Sequence, residues 1–175
     1  MLLFLLACTP SIDDTAGQIC TDLTPSLIVG TGERDFETLD VGEEVIMVHG
    51  PQGGWHMLGS IQLFNTFPIV EIDFTITDVQ SGTVVSSNYY RVGLLMEDDC
   101  NGYYPGMYGY LNVQAMAQED MDTPPELLGG HELEMEMKSN DCTESQNEQG
   151  ICVREERWSS NTMLITAALD PIDME

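Results

Sequence analysis

The chain has 175 residues, of which 30 are acidic and five are basic, so its net charge at neutral pH is −25. This charge excludes nucleic acid as a partner, because binding a polyanion requires clustered Lys and Arg side chains that displace its counterions. Anionic lipid headgroups are poor partners for the same reason. The length allows one domain with a sizeable hydrophobic core.

The chain begins with an apolar run, MLLFLLAC, that ends in Leu5, Leu6, Ala7 and Cys8. These residues resemble the lipobox of bacterial lipoprotein signal peptides, with a leucine three residues before the cysteine and a small residue directly before it. The resemblance implies that residues 1–7 are removed as a signal peptide and that Cys8 is lipidated. The basic segment that opens such peptides is missing, so we expect the true start to lie upstream.

The alternative for this run is a first core strand from Leu2 to Leu6. The run is too short to cross a membrane, since a transmembrane helix needs about 20 apolar residues. Residues 8–25 are dominated by Thr, Ser, Asp and Pro without a sustained period, so we expect a lipidated, flexible tether before a domain over 26–175. The chain is then an exported, outer-membrane-associated lipoprotein, periplasmic or on the cell surface, which touches the membrane only through its lipid.

Four cysteines remain once Cys8 is set aside, and an even number in an exported chain indicates two disulfides among three connectivities. We favour Cys142 with Cys152, because the polar, glycine-containing segment between them is typical of a loop whose ends are bridged. That choice leaves Cys20 with Cys100. A zinc site is the alternative, but no C-x2-C pair or Cys/His cluster has the spacing of zinc ligands.

Alternation of apolar and polar residues predicts β-strands along the rest of the chain. The clearest case is 69–79, where Val70, Ile72, Phe74 and Ile76 share one face. Further strands are predicted at residues 26–30, 44–49, 55–64, 83–96, 108–115, 131–138, 151–158 and 162–168. The sequence contains no amphipathic helix longer than two turns and no internal repeat.

This pattern predicts a single antiparallel β-sandwich of immunoglobulin-like kind, with a jelly roll as the alternative. The prediction depends on the number and pattern of the strands, because the Cys, Trp, Cys spacing of immunoglobulin domains is absent. Domains of this class mostly bind through their loops, and the fold does not specify a reaction.

Residues 49–57, HGPQGGWHM, contain two of the three histidines and a turn between two predicted strands. A four-residue turn from Pro51 to Gly54 would place His49 directly opposite His56, with their Cβ atoms about 5 Å apart. In that register the core face carries Ile46, Val48, Trp55, Met57, Ile61 and Leu63, and the other face carries Met47, His49, His56 and Leu58.

The paired imidazoles of His49 and His56 predict a copper or zinc site as the competing function, since methionine thioethers lie nearby. A phosphate-binding loop is excluded because a strand, not a helix, follows and no basic residue is near. No G-x-S-x-G motif is present for a nucleophilic serine. We therefore expect no enzymatic activity.

All six tyrosines lie between residues 88 and 110. The segment YYPGMYGY predicts an exposed aromatic loop in which Tyr103, Tyr104 and Tyr108 bind a ligand. Tyrosine offers rigid, amphipathic contact area, which suits sugars or peptides. The alternative is that half of these tyrosines pack against the sheets.

At the family level the chain resembles immunoglobulin-like lipoproteins of myxobacterial type. The lipobox, GTGERDFETLDVGEEV and HGPQGGWHM carry this resemblance, which spans about residues 27–140. It implies the fold and the envelope location, and no activity comes with it. We expect a lipid-anchored envelope protein with a non-catalytic binding or structural role, no cofactor, and an envelope protein, peptide or glycan as partner.

Overall fold

The computed structural model describes residue 20 and residues 23–50, 53–117, 123–141 and 157–171. The described part contains ten strands and one short helix. The elements are β1 (Ser26–Thr31), β2 (Glu37–Thr38), β3 (Glu43–His49), β4 (Trp55–Phe64), β5 (Ile69–Asp78), β6 (Thr83–Gly93), β7 (Leu95–Met96), β8 (Gly102–Leu111), α1 (Pro124–Leu128), β9 (Glu132–Asp141) and β10 (Trp158–Leu169).

The strands form one sheet that folds over into two layers. One layer contains β2, β1, β4, β8 and β7, and the other contains β6, β5, β9 and β10. β3 joins the layers, because its first part pairs in parallel with β10 and its end pairs antiparallel with β4. The predicted all-β sandwich is confirmed, and the β3–β10 pair makes its sheet mixed rather than wholly antiparallel.

The core lies between the layers and is filled by the alternating residues that the sequence predicted. Val70, Ile72, Phe74 and Ile76 of β5 are all fully buried. The inward residues of β9, which are Leu133, Met135 and Met137, are also fully buried. These methionines are therefore core residues, which is the commonest role of unbranched, polarizable side chains.

Two glycines let the layers approach each other around Phe74. A Cβ atom on Gly59 of β4 would lie 2.6 Å from Phe74 Cζ and 2.7 Å from Met137 Cε. A Cβ atom on Gly109 of β8 would lie 2.6 Å from Ile76 Cδ1. The Phe74 ring thus occupies the space that two side chains would otherwise fill.

The hairpin between β3 and β4 has a different register from the predicted one. His49 pairs with Trp55 and Val48 pairs with His56, because Gly50 N–H donates to Gly54 O at 2.9 Å. Gly53 and Gly54 both have positive φ, which lets the turn close one residue earlier than Pro51 to Gly54. The predicted pairing of His49 with His56 is wrong.

A shift of one residue turns every side chain of a strand to the other face. In β3, Val45 and Met47 therefore lie in the core, while Ile46 is 43% exposed. The predicted core positions of Ile46 and Val48 are wrong for this reason, whereas those of Met57, Ile61 and Leu63 on β4 are confirmed.

A disulfide joins Cys20 to Cys100, the pairing that remained for these two residues once Cys142 was assigned to Cys152. Disulfides form and persist in oxidising compartments, which indicates that the domain lies outside the cytoplasm. Cys8, Cys142 and Cys152 lie outside the described residues, as does nearly all of the strand predicted at 151–158. Among the described residues, no helix is long and apolar enough to cross a membrane.

Candidate functional site

The outward surface of β4 and β8 carries an aromatic cluster. Antiparallel pairing places His56 opposite Tyr110 and Leu58 opposite Tyr108. Because alternate residues of a strand share a face, these four side chains point away from the core together. We call this surface, formed by His56, Leu58, Tyr108 and Tyr110, the aromatic face.

Two tyrosine rings of the aromatic face lie nearly parallel. The ring centroids of Tyr108 and Tyr110 are 5.8 Å apart with an interplanar angle of 16°. The side chains are 41% and 60% exposed, respectively. Ordered, solvent-accessible rings of this kind offer apolar faces for stacking and hydroxyl groups for hydrogen bonds.

His56 lies beneath these rings and is 8% exposed. Its imidazole makes an edge contact with Tyr108, with centroids 4.7 Å apart, and a longer one with Tyr110 at 6.3 Å. Burial lowers the pKa of His56, because desolvation disfavours the charged imidazolium. The imidazole is therefore neutral at pH 7 and supports the tyrosine rings without adding a charge.

A cleft of about 500 Å³ begins at Tyr110 and runs between β6 and the end of β8. Its lining residues are Val84, Val85, Ser86, Ser87, Asn88, Tyr110, Asn112, Gln114 and Ala115. None of them is charged, although charged residues make up 20% of the chain. The cleft therefore offers hydroxyl and amide groups in a neutral setting.

The predicted aromatic loop is wrong as a loop, because YYPGMYGY forms most of β8. Tyr103 and Tyr104 are half-buried, and Tyr104 packs against the core. Only Tyr108 of the three predicted ligand-binding tyrosines belongs to the aromatic face. The sequence prediction did not include Tyr110 among the ligand-binding residues. The predicted strand over 108–115 could have indicated it, because Tyr110 alternates with Gly109 and Leu111 and so lies on the outward side.

A bulge in β8 separates Tyr103 and Tyr104 from the aromatic face. The pairing with β4 shifts register between Gly59 and Ile61. At the shift Gly106 has a φ of 69°, and its N–H donates to Gly32 O at 2.9 Å. Bulges redirect side chains in this way, and this one turns Tyr104 towards the core.

The structure does not bring the histidines together. His49 stacks on Trp55, with ring centroids 4.8 Å apart, while His56 points to the opposite face of the hairpin. Within the part of the chain that the structure describes, no group of three or more His, Cys, Asp or Glu residues could hold a metal ion. The paired imidazoles on which the copper or zinc hypothesis depends are therefore absent from this hairpin.

The third histidine belongs to a separate polar pair. His131 Nδ1 lies 2.9 Å from Oδ1 of the fully buried Asp78. Burial alone would raise the pKa of Asp78, but hydrogen bonds from Ser81 and His131 outweigh it and lower that pKa. The pair connects the end of β5 to the residue before β9 and is a structural contact.

No family model matches this chain, and no curated protein sequence matches it. Among solved structures it is similar to the CooA pilin subunit from enterotoxigenic Escherichia coli, with a TM-score of 0.32 and 12% sequence identity. That similarity covers 85% of this chain and 100% of the pilin chain.

Proposed function

We propose that this protein is a non-catalytic binding domain, held at the cell envelope by a lipid on Cys8, whose aromatic face binds a neutral glycan. The observation that carries the proposal is the exposed, nearly parallel pair formed by Tyr108 and Tyr110 beside an uncharged cleft. Lipid attachment is an expectation from the lipobox. The disulfide supports the location outside the cytoplasm.

Stacking supplies the apolar part of the proposed recognition. The C–H groups on one face of a sugar ring pack against an aromatic ring, and Tyr108 and Tyr110 present two such rings. Rings already held in place bind at a lower entropy cost than mobile ones. Contacts to His56 and the strand pairing of β8 hold both tyrosines.

The cleft supplies the hydrogen-bonding groups of the proposed glycan recognition. Asn88, Asn112 and Gln114 carry amides that both donate and accept hydrogen bonds, as sugar hydroxyl groups require. A neutral ligand is favoured over an acidic one, because the chain's net charge of −25 repels anions. A sugar stacked on Tyr110 would extend into this cleft.

The test is calorimetric titration of the purified domain with short neutral oligosaccharides of glucose, mannose, xylose and N-acetylglucosamine. We expect one of these series to bind, with affinity that rises with chain length. Replacing Tyr108 or Tyr110 by alanine should weaken that binding by about tenfold, since an aromatic contact contributes about 0.5–1.5 kcal/mol beyond its buried area.

The matched control is Trp158→Ala, which removes an aromatic side chain that is 48% exposed on the other layer. This variant should bind the oligosaccharide as the wild type does. Absence of binding to all four series would refute the glycan proposal. An equal loss of affinity in Trp158→Ala would show that the effect is not specific to the aromatic face.

A further inference from the structure

The strand β6 is a long edge strand. Among the described residues its backbone pairs along its length only with β5. The other terminal strands of the sheet, β2 and β7, have two residues each, whereas β6 has 11. Edge strands are often very short, which protects them from pairing with other chains, and β6 does not have this protection.

β6 also lacks the charges that usually protect an edge. Its sequence, TVVSSNYYRVG, has Arg91 as its one charged residue and contains no proline. Two of its apolar side chains are more than half exposed, Val84 at 54% and Tyr89 at 60%. An extended edge with a single charged residue can pair with another strand.

Within the part of the chain that the structure describes, the backbone groups of β6 that have no strand partner lie between Ser87 and Arg91. At one end Val85 O accepts a hydrogen bond from Asn112 N–H at 2.7 Å, so the edge is occupied there. At the other end Leu94 N–H donates to Pro68 O at 2.7 Å, so Leu94 and every second residue back to Ser86 direct their backbone groups to the β5 side. Since backbone groups alternate in direction along a strand, Ser87, Tyr89 and Arg91 direct theirs to the open side.

We propose that β6 pairs antiparallel with β6 of a second copy of this chain, about a two-fold axis at Tyr89. Tyr89 then lies opposite Tyr89 of the partner subunit, and Ser87 lies opposite Arg91 of the partner subunit. The register matches residues whose backbone groups face outward on both strands. It ends before Val85, whose carbonyl is already bonded to Asn112.

The charges along β6 itself permit a second copy in this register. β6 carries no acidic residue, so the contact brings no two carboxylates opposite each other, although each chain has a net charge of −25. Arg91 faces a serine rather than another arginine. Repulsion between the rest of the two chains remains, so association should strengthen as salt screens it. Ser87 also lines the uncharged cleft, so the dimer contact and a glycan in the cleft would share this part of β6, and the dimer is therefore measured without oligosaccharide.

The first experiment is sedimentation equilibrium of the purified domain over a range of protein and NaCl concentrations. We expect a reversible dimer whose dissociation constant falls as NaCl rises. Hydrogen exchange at high protein concentration should slow at the amides of Ser87, Tyr89 and Arg91. A monomer under all conditions would overturn the proposal, and so would a dimer without slower exchange at these amides.

The register is tested by two substitutions at the exposed Ser87. Ser87→Glu places a carboxylate opposite Arg91 of the partner subunit and should lower the dissociation constant by about three- to tenfold. Ser87→Arg places like charges opposite each other and should raise it by a similar factor. Net charge alone predicts the reverse order, since Glu adds to the repulsion and Arg reduces it. That reverse order, or no change in either variant, would overturn the register.

Discussion

At the scale of single residues, glycine determines where the layers of this sandwich meet. Gly59 and Gly109 lie on neighbouring strands and leave room for Phe74 from the opposite layer. Their backbone needs no special conformation, as neither has a positive φ. Their role is steric, and the sequence alone does not reveal it, because a glycine in a strand also indicates a bulge or a bend.

The Gly59→Ala variant should therefore be destabilised. The added methyl group would meet Phe74 and Met137 at distances that require both side chains to move. Overpacking of this kind costs about 1–3 kcal/mol. The measurement is the free energy of unfolding by urea. Gly93→Ala is the control, because its added Cβ has its nearest neighbour, Pro68 O, at 4.0 Å and should cause no loss.

If Gly59→Ala unfolds at the same urea concentration as the wild type, the close packing around Phe74 does not stabilise the domain. A comparable loss in Gly93→Ala would instead assign the effect to backbone flexibility, because glycine and alanine differ in the unfolded chain as well.

At the scale of elements, the strands were predictable and the β3–β4 register was not. The predicted strand at 55–64 coincides with β4, and the prediction at 69–79 ends one residue beyond β5. Alternation is a local property, so it survives folding. The register depends on which turn closes, and Gly53 and Gly54 allow a turn one residue shorter.

The observed register of the β3–β4 hairpin leads to a prediction about metal binding. His49 and His56 point to opposite faces, so they cannot bind one ion as a cross-strand pair. We expect Cu²⁺ and Zn²⁺ to bind the wild type no more tightly than His49→Ala. The side chain of His49 is exposed, so its replacement by alanine should leave the fold intact. A calorimetric titration in which the wild type binds at least about tenfold more tightly would restore the copper or zinc hypothesis.

At the scale of the whole molecule, the N-terminal segment is fastened to one end of the sandwich. Cys20 is joined to Cys100, and Arg157 Nη2 donates hydrogen bonds to the carbonyl oxygens of Cys20, Leu23 and Asn65 at 2.8–3.1 Å. Arg157 also forms an ion pair with the buried Asp141 at 3.3 Å. Cys20 and Leu23 belong to the segment 8–25 that the sequence predicts as a flexible tether, so the end of that segment is held against the domain.

Membrane attachment should therefore be separable from folding. Cys8→Ser is expected to abolish lipid labelling and to move the protein from the membrane fraction to the soluble fraction, because the charge of −25 gives it no other affinity for anionic lipid. Its free energy of unfolding should equal that of the unlipidated wild-type domain. Membrane retention of Cys8→Ser would contradict lipid anchoring.

The sequence by itself determined the all-β class, most strand positions and the inward face of β5. These properties follow from composition and from a period of two, which are fixed before the chain folds. The tertiary structure decided which face His56 occupies, why Tyr110 and not Tyr104 joins the aromatic face, and that, among the described strands, β6 pairs only with β5. Each of these depends on register, bulges or strand neighbours, which hydrogen bonds between distant segments set.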